Sequence, residues 1–228
     1  MADDRPRALV VRGGWAGHQP IETTDFMVPR LEEAGFAVEI SDTLGTYTDG
    51  AVMADIDLIV QCWTMGEIAR DEVDGLLSAV SAGTGLTGWH GGLCDAFRDT
   101  TDYQFMTGGQ WVAHPGGKVD YEVNFLKEQG ADPVIAGLED FRLHSEQYYM
   151  HVDPSNLVLA ETTFQGTDDA PWTKGCVMPV AWKRTYGQGK IFYTTLGHDM
   201  DDFDVPQIPE LIVRGSLWAS RRRPAGAG

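Results

Sequence analysis

Cysteine, basic charge and long apolar runs are what this chain of 228 residues has least of. Its three cysteines, Cys62, Cys94 and Cys176, are odd in number and share no C-x-x-C spacing. That argues against a disulfide framework or a structural zinc site, and for a reducing setting. Lysine and arginine together number 17 against 34 acidic residues, a formal net charge of -17. A surface of that sign repels phosphate backbones and anionic bilayers, so nucleic acid and membrane are excluded as expected partners. The one basic cluster, Arg221-Arg222-Arg223, sits in a Pro/Gly/Ala-rich end and reads as a solvated tail. No apolar run approaches the length of a membrane span, and the opening Met1-Ala2-Asp3-Asp4-Arg5 has no apolar signal core. A cytoplasmic location is the expectation.

What is present is enough apolar residue, 43%, for a sizeable core. Residues 7–12 enclose Ala8-Leu9-Val10-Val11, a buried-strand pattern. Met27, Leu31 and Ala34 recur at helical spacing before a stop at Gly35. Residues 36–40 and 56–61 read as further strands, Val73, Leu77 and Val80 as a second helical stripe, and 85–89 as a fourth strand. Alternation of this kind predicts a parallel sheet covered by helices on both faces. The second half is shorter in period and punctuated by glycine, with strand candidates within 108–132 and at 146–151, 157–161, 178–186 and 190–195. The last two flank Tyr186-Gly187-Gln188-Gly189 and predict a hairpin. A closing helix is expected over 209–220, with Leu211, Gly215 and Trp218 on one face. No repeat or linker interrupts the chain, so one domain is expected over 1–228, with its core at 7–220 and a flexible tail at 221–228.

The most informative stretch is Gly88-Trp89-His90-Gly91-Gly92, laid out as strand, tight turn and helix like a nucleophile elbow. Its tip is His90, where an acyl-transfer enzyme carries Ser or Cys; imidazole suits proton transfer or metal ligation instead. In open parallel sheets ligands bind beyond the carboxyl ends of the strands. Four loops are predicted there: one carrying Trp15 and His18, one Trp63, one His90 and one His198. His114 lies in another Gly- and Trp-rich loop, and Glu146 precedes an aromatic run. His90, Glu146 and His198 are the candidate catalytic groups, with Glu146 orienting a ring, tuning its pKa or sharing a metal. Trp15, His18, Trp63, Trp89 and His114 are candidate sugar-binding residues, indole faces packing on a pyranose; Trp111 and Trp172 offer similar faces. His18, His90 and His198 are the candidate ligands if a divalent metal, zinc or manganese, is bound. The run Asp199, Asp201, Asp202 and Asp204 lacks the spacing of a calcium loop and reads as solvated. His151 is expected to support a turn at Val152-Asp153-Pro154, and Trp182 and Trp218 to belong to the core.

The chain also resembles the trehalose-utilisation (ThuA-like) family. The resemblance rests on the elbow and on the block from Gly108-Gly109-Gln110-Trp111 through His114-Pro115-Gly116-Gly117. Ser145-Glu146-Gln147-Tyr148-Tyr149-Met150, Pro179-Val180-Ala181-Trp182 and the stretch from Tyr186 to His198 complete it. It implies an α/β, flavodoxin-like, mostly parallel sheet flanked by helices, with additional β-hairpin elements, similar to class I glutamine amidotransferases. It also implies carbohydrate catabolism. Glutamine hydrolysis itself is disfavoured, because His90 occupies the nucleophile position and His198-Asp199-Met200 lacks the carboxylate of a His-x-Glu dyad. The expected substrate is a sugar or an oxidised keto-glycoside such as a trehalose derivative, handled by His/Glu acid–base chemistry: isomerisation, β-elimination or hydrolysis. A non-catalytic sugar-binding or regulatory module is the alternative, and self-association is left open.

Overall fold

Runs of β-branched and aliphatic residues too short to be core helices become the central strands. The computed structural model describes residues 4–225. In chain order these form β1 (Arg7–Gly14), α1 (Pro20–Glu33), β2 (Ala37–Ser41), α2 (Gly50–Asp55), β3 (Leu58–Thr64), α3 (Arg70–Ser81) and β4 (Gly85–Trp89). There follow α4 (Gly91–Cys94), α5 (Thr101–Thr107), β5 (Gly109–Ala113), β6 (Lys118–Phe125), β7 (Phe141–Glu146), β8 (Tyr149–Val152) and β9 (Leu157–Thr163). The chain closes with β10 (Val177–Tyr186), β11 (Gly189–Thr194) and α6 (Gln207–Ala219).

Nine strands make one sheet in the order β2-β1-β3-β4-β11-β10-β9-β6-β7, and β5 pairs with β8 in a separate ribbon. The first five strands run parallel, in an arrangement consistent with a flavodoxin-like sheet. The remaining four pairings are antiparallel. The fold is therefore α/β, with a mixed rather than purely parallel sheet flanked by helices, and the expected β10–β11 hairpin is present. The strand expected at 146–151 is two pieces: β7 ends at Glu146, and β8 leaves for the ribbon after Gln147 and Tyr148. The alternation in β1 and β3 explains the layering. Ala8, Val10, Leu58 and Val60 pack on one face with Met27 and Leu31 of α1 and Leu211 and Ile212 of α6. Leu9, Val11 and Ile59 pack on the other with Val73, Leu76 and Val80 of α3.

Trp182 is fully buried and Trp218 half-buried, the latter capped by Lys183 Nζ 4.3 Å from its ring centroid. The basic end is not simply solvated. Arg221 and Arg222 reach the fully buried Asp57 carboxylate at 3.2 and 2.9 Å, which gives that charge the partners its burial demands. The last residues of the expected flexible tail, 226–228, lie outside the described residues, as do residues 1–3 of the opening segment. No helix of the described residues is long and apolar enough to cross a membrane.

Strand polarity decides where chemistry can gather. β11 runs parallel to β4 with Thr194 beside Trp89, so the residues that follow each strand emerge side by side. Two antiparallel steps from β11 restore the direction at β9, and two more restore it at β7. Glu146, at the end of β7, therefore faces the same sheet edge as His90 and His198. The β6–β9 pairing spans only Asn124 and Phe125, so the β6–β7 hairpin is free to turn back over that edge.

Candidate active site and metal centre

His90 leaves β4 with φ 46° and ψ -137°, in the left-handed region that a β-carbon disfavours. Neighbouring groups hold it there. Its N–H donates to Thr194 O at 2.8 Å, and its carbonyl accepts from Tyr193 Oη at 2.9 Å. The strain of the elbow falls on the histidine itself, whereas the glycines are required by close approach. A β-carbon at Gly91 would sit 2.4 Å from His18 Nδ1, and one at Gly92 would sit 2.8 Å from Cys62 Cα. Gly91 thus lets the loop after β1 bring His18 against the elbow.

Four side chains converge here. One ligand atom from each of His18, His90, Glu146 and His198 lies within 4.8 Å of all the others. His90 Nε2 is 3.2 Å from Glu146 Oε2 and 3.2 Å from His198 Nδ1. Glu146 Oε2 is also 3.3 Å from His198 Nδ1 and 3.8 Å from His18 Nε2. On the other carboxylate oxygen, His114 Nε2 stands 3.6 Å from Oε1, with 37% of its side chain exposed. Tyr148 covers the His90 ring at a centroid distance of 3.9 Å.

Hydrogen bonding sets the protons. His90 Nδ1 is 2.7 Å from Thr195 O, and a carbonyl can only accept, so Nδ1 carries the hydrogen and Nε2 directs a lone pair at Glu146. Burial pushes the His90 pKa down to about 3, against the raising effect of Glu146, so this ring is neutral at physiological pH. Burial opposes ionisation of Glu146, but the neighbouring imidazoles of His18 and His198 outweigh it and hold the carboxyl well below its ordinary range. Two lone pairs, one of a neutral imidazole and one of a carboxylate, therefore face each other at 3.2 Å. A hydrogen on His198 Nδ1, 3.2 Å from one and 3.3 Å from the other, can bridge them, and so can a shared cation. Three imidazoles and a carboxylate are a donor set that suits a divalent ion.

The surrounding contacts have the form expected around metal-ligating histidines. His90 Nδ1 is tied to Thr195 O, His18 Nδ1 lies 3.1 Å from Thr64 Oγ1, and His198 Nε2 lies 3.7 Å from Asp199 Oδ2. Asp202 accepts from the backbone N–H of Gly197 and His198 at 3.1 and 2.8 Å and from Ser145 Oγ at 2.9 Å. One buried carboxylate thus positions the residues before and at His198 together with the residue before Glu146. The acidic run is accordingly not a uniformly solvated loop: Asp202 is buried, and Asp199 pairs with Lys118.

The remaining expectations divide. His18, expected as a sugar-binding residue or as a metal ligand, is inside the cluster, because Gly91 admits it; His114 is 37% exposed beside it. Trp15 is half-exposed and meets His18 edge-on at 4.8 Å. Trp63 is half-buried, its ring against the backbone of Gly13 and Gly66. Trp89 offers no face to a sugar: it is 1% exposed and packs against Phe203, because successive residues point to opposite sides and His90 takes the side that faces the cluster. His151 is an exposed residue of β8; the turn after it is held by Asp153, which accepts from Ser155 N at 2.8 Å. His144 pairs with exposed Asp120. Cys62 and Cys94 are buried, and burial pushes both thiols up, Cys62 to about 12, so neither supplies a thiolate. Thr64, Tyr148 and Thr195 carry no role in the sequence reading, and Asp202 figures there only as part of a solvated run. For Tyr148 and Thr195 the only signal was adjacency to a candidate residue or strand end.

An α/β scaffold carrying a buried His/His/Glu/His cluster at its carboxyl edge defines a protein with a candidate catalytic or metal-binding centre. The chain belongs to the trehalose-utilisation (ThuA) family, whose model matches residues 7–219. Its fold is similar to that of a protein described as ThuA-like from Bacteroides uniformis, at 16% identity and a TM-score of 0.79 over 96% of this chain and 93% of that one. A second such protein, from Parabacteroides merdae, matches at 17% identity and a TM-score of 0.74 over 99% and 93%. The fold also overlaps part of a β-galactosidase from Bacillus circulans, at 13% identity and a TM-score of 0.54, covering 95% of this chain but 31% of that enzyme. No curated protein matches the sequence.

Proposed function

We propose that this protein is a metal-dependent enzyme of carbohydrate catabolism that acts on a sugar or an oxidised keto-glycoside. The observation that carries the reading is the pair of opposed lone pairs on His90 and Glu146 inside a ring of imidazoles at the carboxyl edge of the sheet. His18, His90, His198 and Glu146 would hold a zinc or manganese ion. When bound, such an ion supplies Lewis-acid polarisation of a substrate oxygen.

The protein's own groups then divide the work. His90, neutral and sealed beneath Tyr148, keeps its lone pair directed inward and takes no part in exchange with solvent. Asp202 and Thr195 hold the His198 and His90 segments in register. His114, partly exposed and 3.6 Å from Glu146 Oε1, is the group placed to take a proton from substrate. In a keto-glycoside the C–H bond beside the ketone is acidified. Transfer of that proton to His114 Nε2 leaves an enolate; its collapse breaks the glycosidic C–O bond, and the departing oxygen takes up a proton. Returning the proton to the other carbon instead gives isomerisation. Neither route needs a covalent nucleophile, which agrees with imidazole at the elbow tip. The scaffold is on this reading amidotransferase-like without amidotransferase chemistry, a single domain over residues 7–220, and cytoplasmic. The test is metal analysis of the purified protein, followed by incubation with trehalose and its keto derivative before and after chelation. Turnover lost on chelation and restored by zinc or manganese is expected. Metal-bound protein that binds these sugars and turns over neither would favour a binding module.

A further inference from the structure

His114 also lines a cavity of about 510 Å³ that His18, His90 and His198 do not line. It is lined by Trp111, His114, Tyr149, Asp169 and Trp172, among others. We infer that this cavity is the subsite for the second, leaving-group ring of a glycoside, with Trp172 as its specificity-determining residue. The inference rests on the sugar reading above and assigns the part of that site which selects a disaccharide over a monosaccharide.

Four observations support it. The volume falls within the ~300–1,000 Å³ range of small-molecule sites. His114 belongs to both compartments: it lines the cavity and lies 3.6 Å from Glu146. A ring held in the cavity would therefore be linked through its glycosidic oxygen to a ring at the cluster. Trp172 is 80% exposed, an unusual cost for an indole unless something covers it, and the Pro171–Thr173 turn holds it at the cavity wall. Finally, unpaired buried polar atoms occur here. Of seven such side-chain atoms among the described residues, two belong to residues that line the cavity, Trp111 Nε1 and His114 Nδ1. The walls are two clasped loops. Gly116 N donates to Asp169 Oδ2 at 3.4 Å, and Tyr149 meets Phe164 edge-on at 5.6 Å. Indole and tyrosine faces with one carboxylate at the edge suit a pyranose, which presents an apolar face and equatorial hydroxyls.

The test is calorimetric titration of the purified full-length protein with glucose, trehalose, maltose and cellobiose, repeated on Trp172→Ala and Trp172→Phe. The best-bound disaccharide is expected to bind wild type about tenfold more tightly than glucose. Trp172→Ala should bring that ratio to near one, chiefly by weakening the disaccharide, and Trp172→Phe should restore part of it. A ratio that survives Trp172→Ala overturns the subsite and leaves the sugar reading standing. Equal affinity of wild type for glucose and every disaccharide does the same. No binding to wild type of any of these saccharides, or of the keto derivative of trehalose titrated alongside them, overturns both.

Discussion

Glu146→Gln isolates what the carboxylate contributes to the centre. The amide keeps the shape of the side chain and can donate to His90 Nε2, which now faces a carboxylate oxygen at 3.2 Å. Metal-free stability should therefore change little. The metal-dependent part should collapse. At a free metal concentration of about 100 times the wild-type dissociation constant, binding adds about 2.7 kcal/mol. For a chain of 228 residues that corresponds to a rise in Tm of roughly 5–11 °C. Removing the one anionic ligand should weaken the ion by at least ~100-fold, the upper end of the range for outer-shell changes. At the same metal concentration the remaining stabilisation is then about 0.4 kcal/mol, a shift of roughly 1–2 °C. Thermal denaturation in buffered zinc and in buffered manganese measures this directly. A wild-type protein with no metal-dependent shift, or a Glu146→Gln protein that keeps the full one, would refute the assignment.

Other outcomes follow from the same geometry. Because burial depresses the His90 pKa to about 3, the unfolded chain takes up a proton below about pH 6.5 that the folded ring refuses. Its contribution is present above that pH and lost as the pH falls toward 3, with a slope of up to about 1.4 kcal/mol per pH unit that His90→Asn should remove in metal-free urea denaturation. His114→Gln should lower turnover by about 10²-fold or more, the usual worth of a positioned general base, while metal content by elemental analysis stays at the wild-type level; unchanged turnover would take His114 out of the mechanism. Cys62→Ser and Cys94→Ser should each keep turnover within about twofold, since both thiols are held protonated; loss of activity with an intact circular dichroism spectrum would revive a thiol nucleophile.

The local patterns of the chain were enough to determine much of this. Apolar runs in β1, β3 and β4 announced a parallel sheet, because strands buried on both faces can carry few polar residues. The glycines around His90 announced a close-packed elbow, and strand ends preceding His18, His90 and His198 announced the edge where ligands bind. These are short-range facts, fixed by side-chain period and turn chemistry. The company each residue keeps is not short-range. Glu146 meets His90 across 56 residues and His198 meets His90 across 108, contacts set by strand order and by the short β6–β9 pairing that lets a hairpin fold back. The same nonlocal packing decided between the two roles open to His18, seating it in the cluster through the space that Gly91 leaves, and turned Trp89 into the core. Residue type can nominate an imidazole or an indole for a site. Whether it ends among ligands or among aliphatics is decided by which strands lie beside it, and that is a property of the whole sheet.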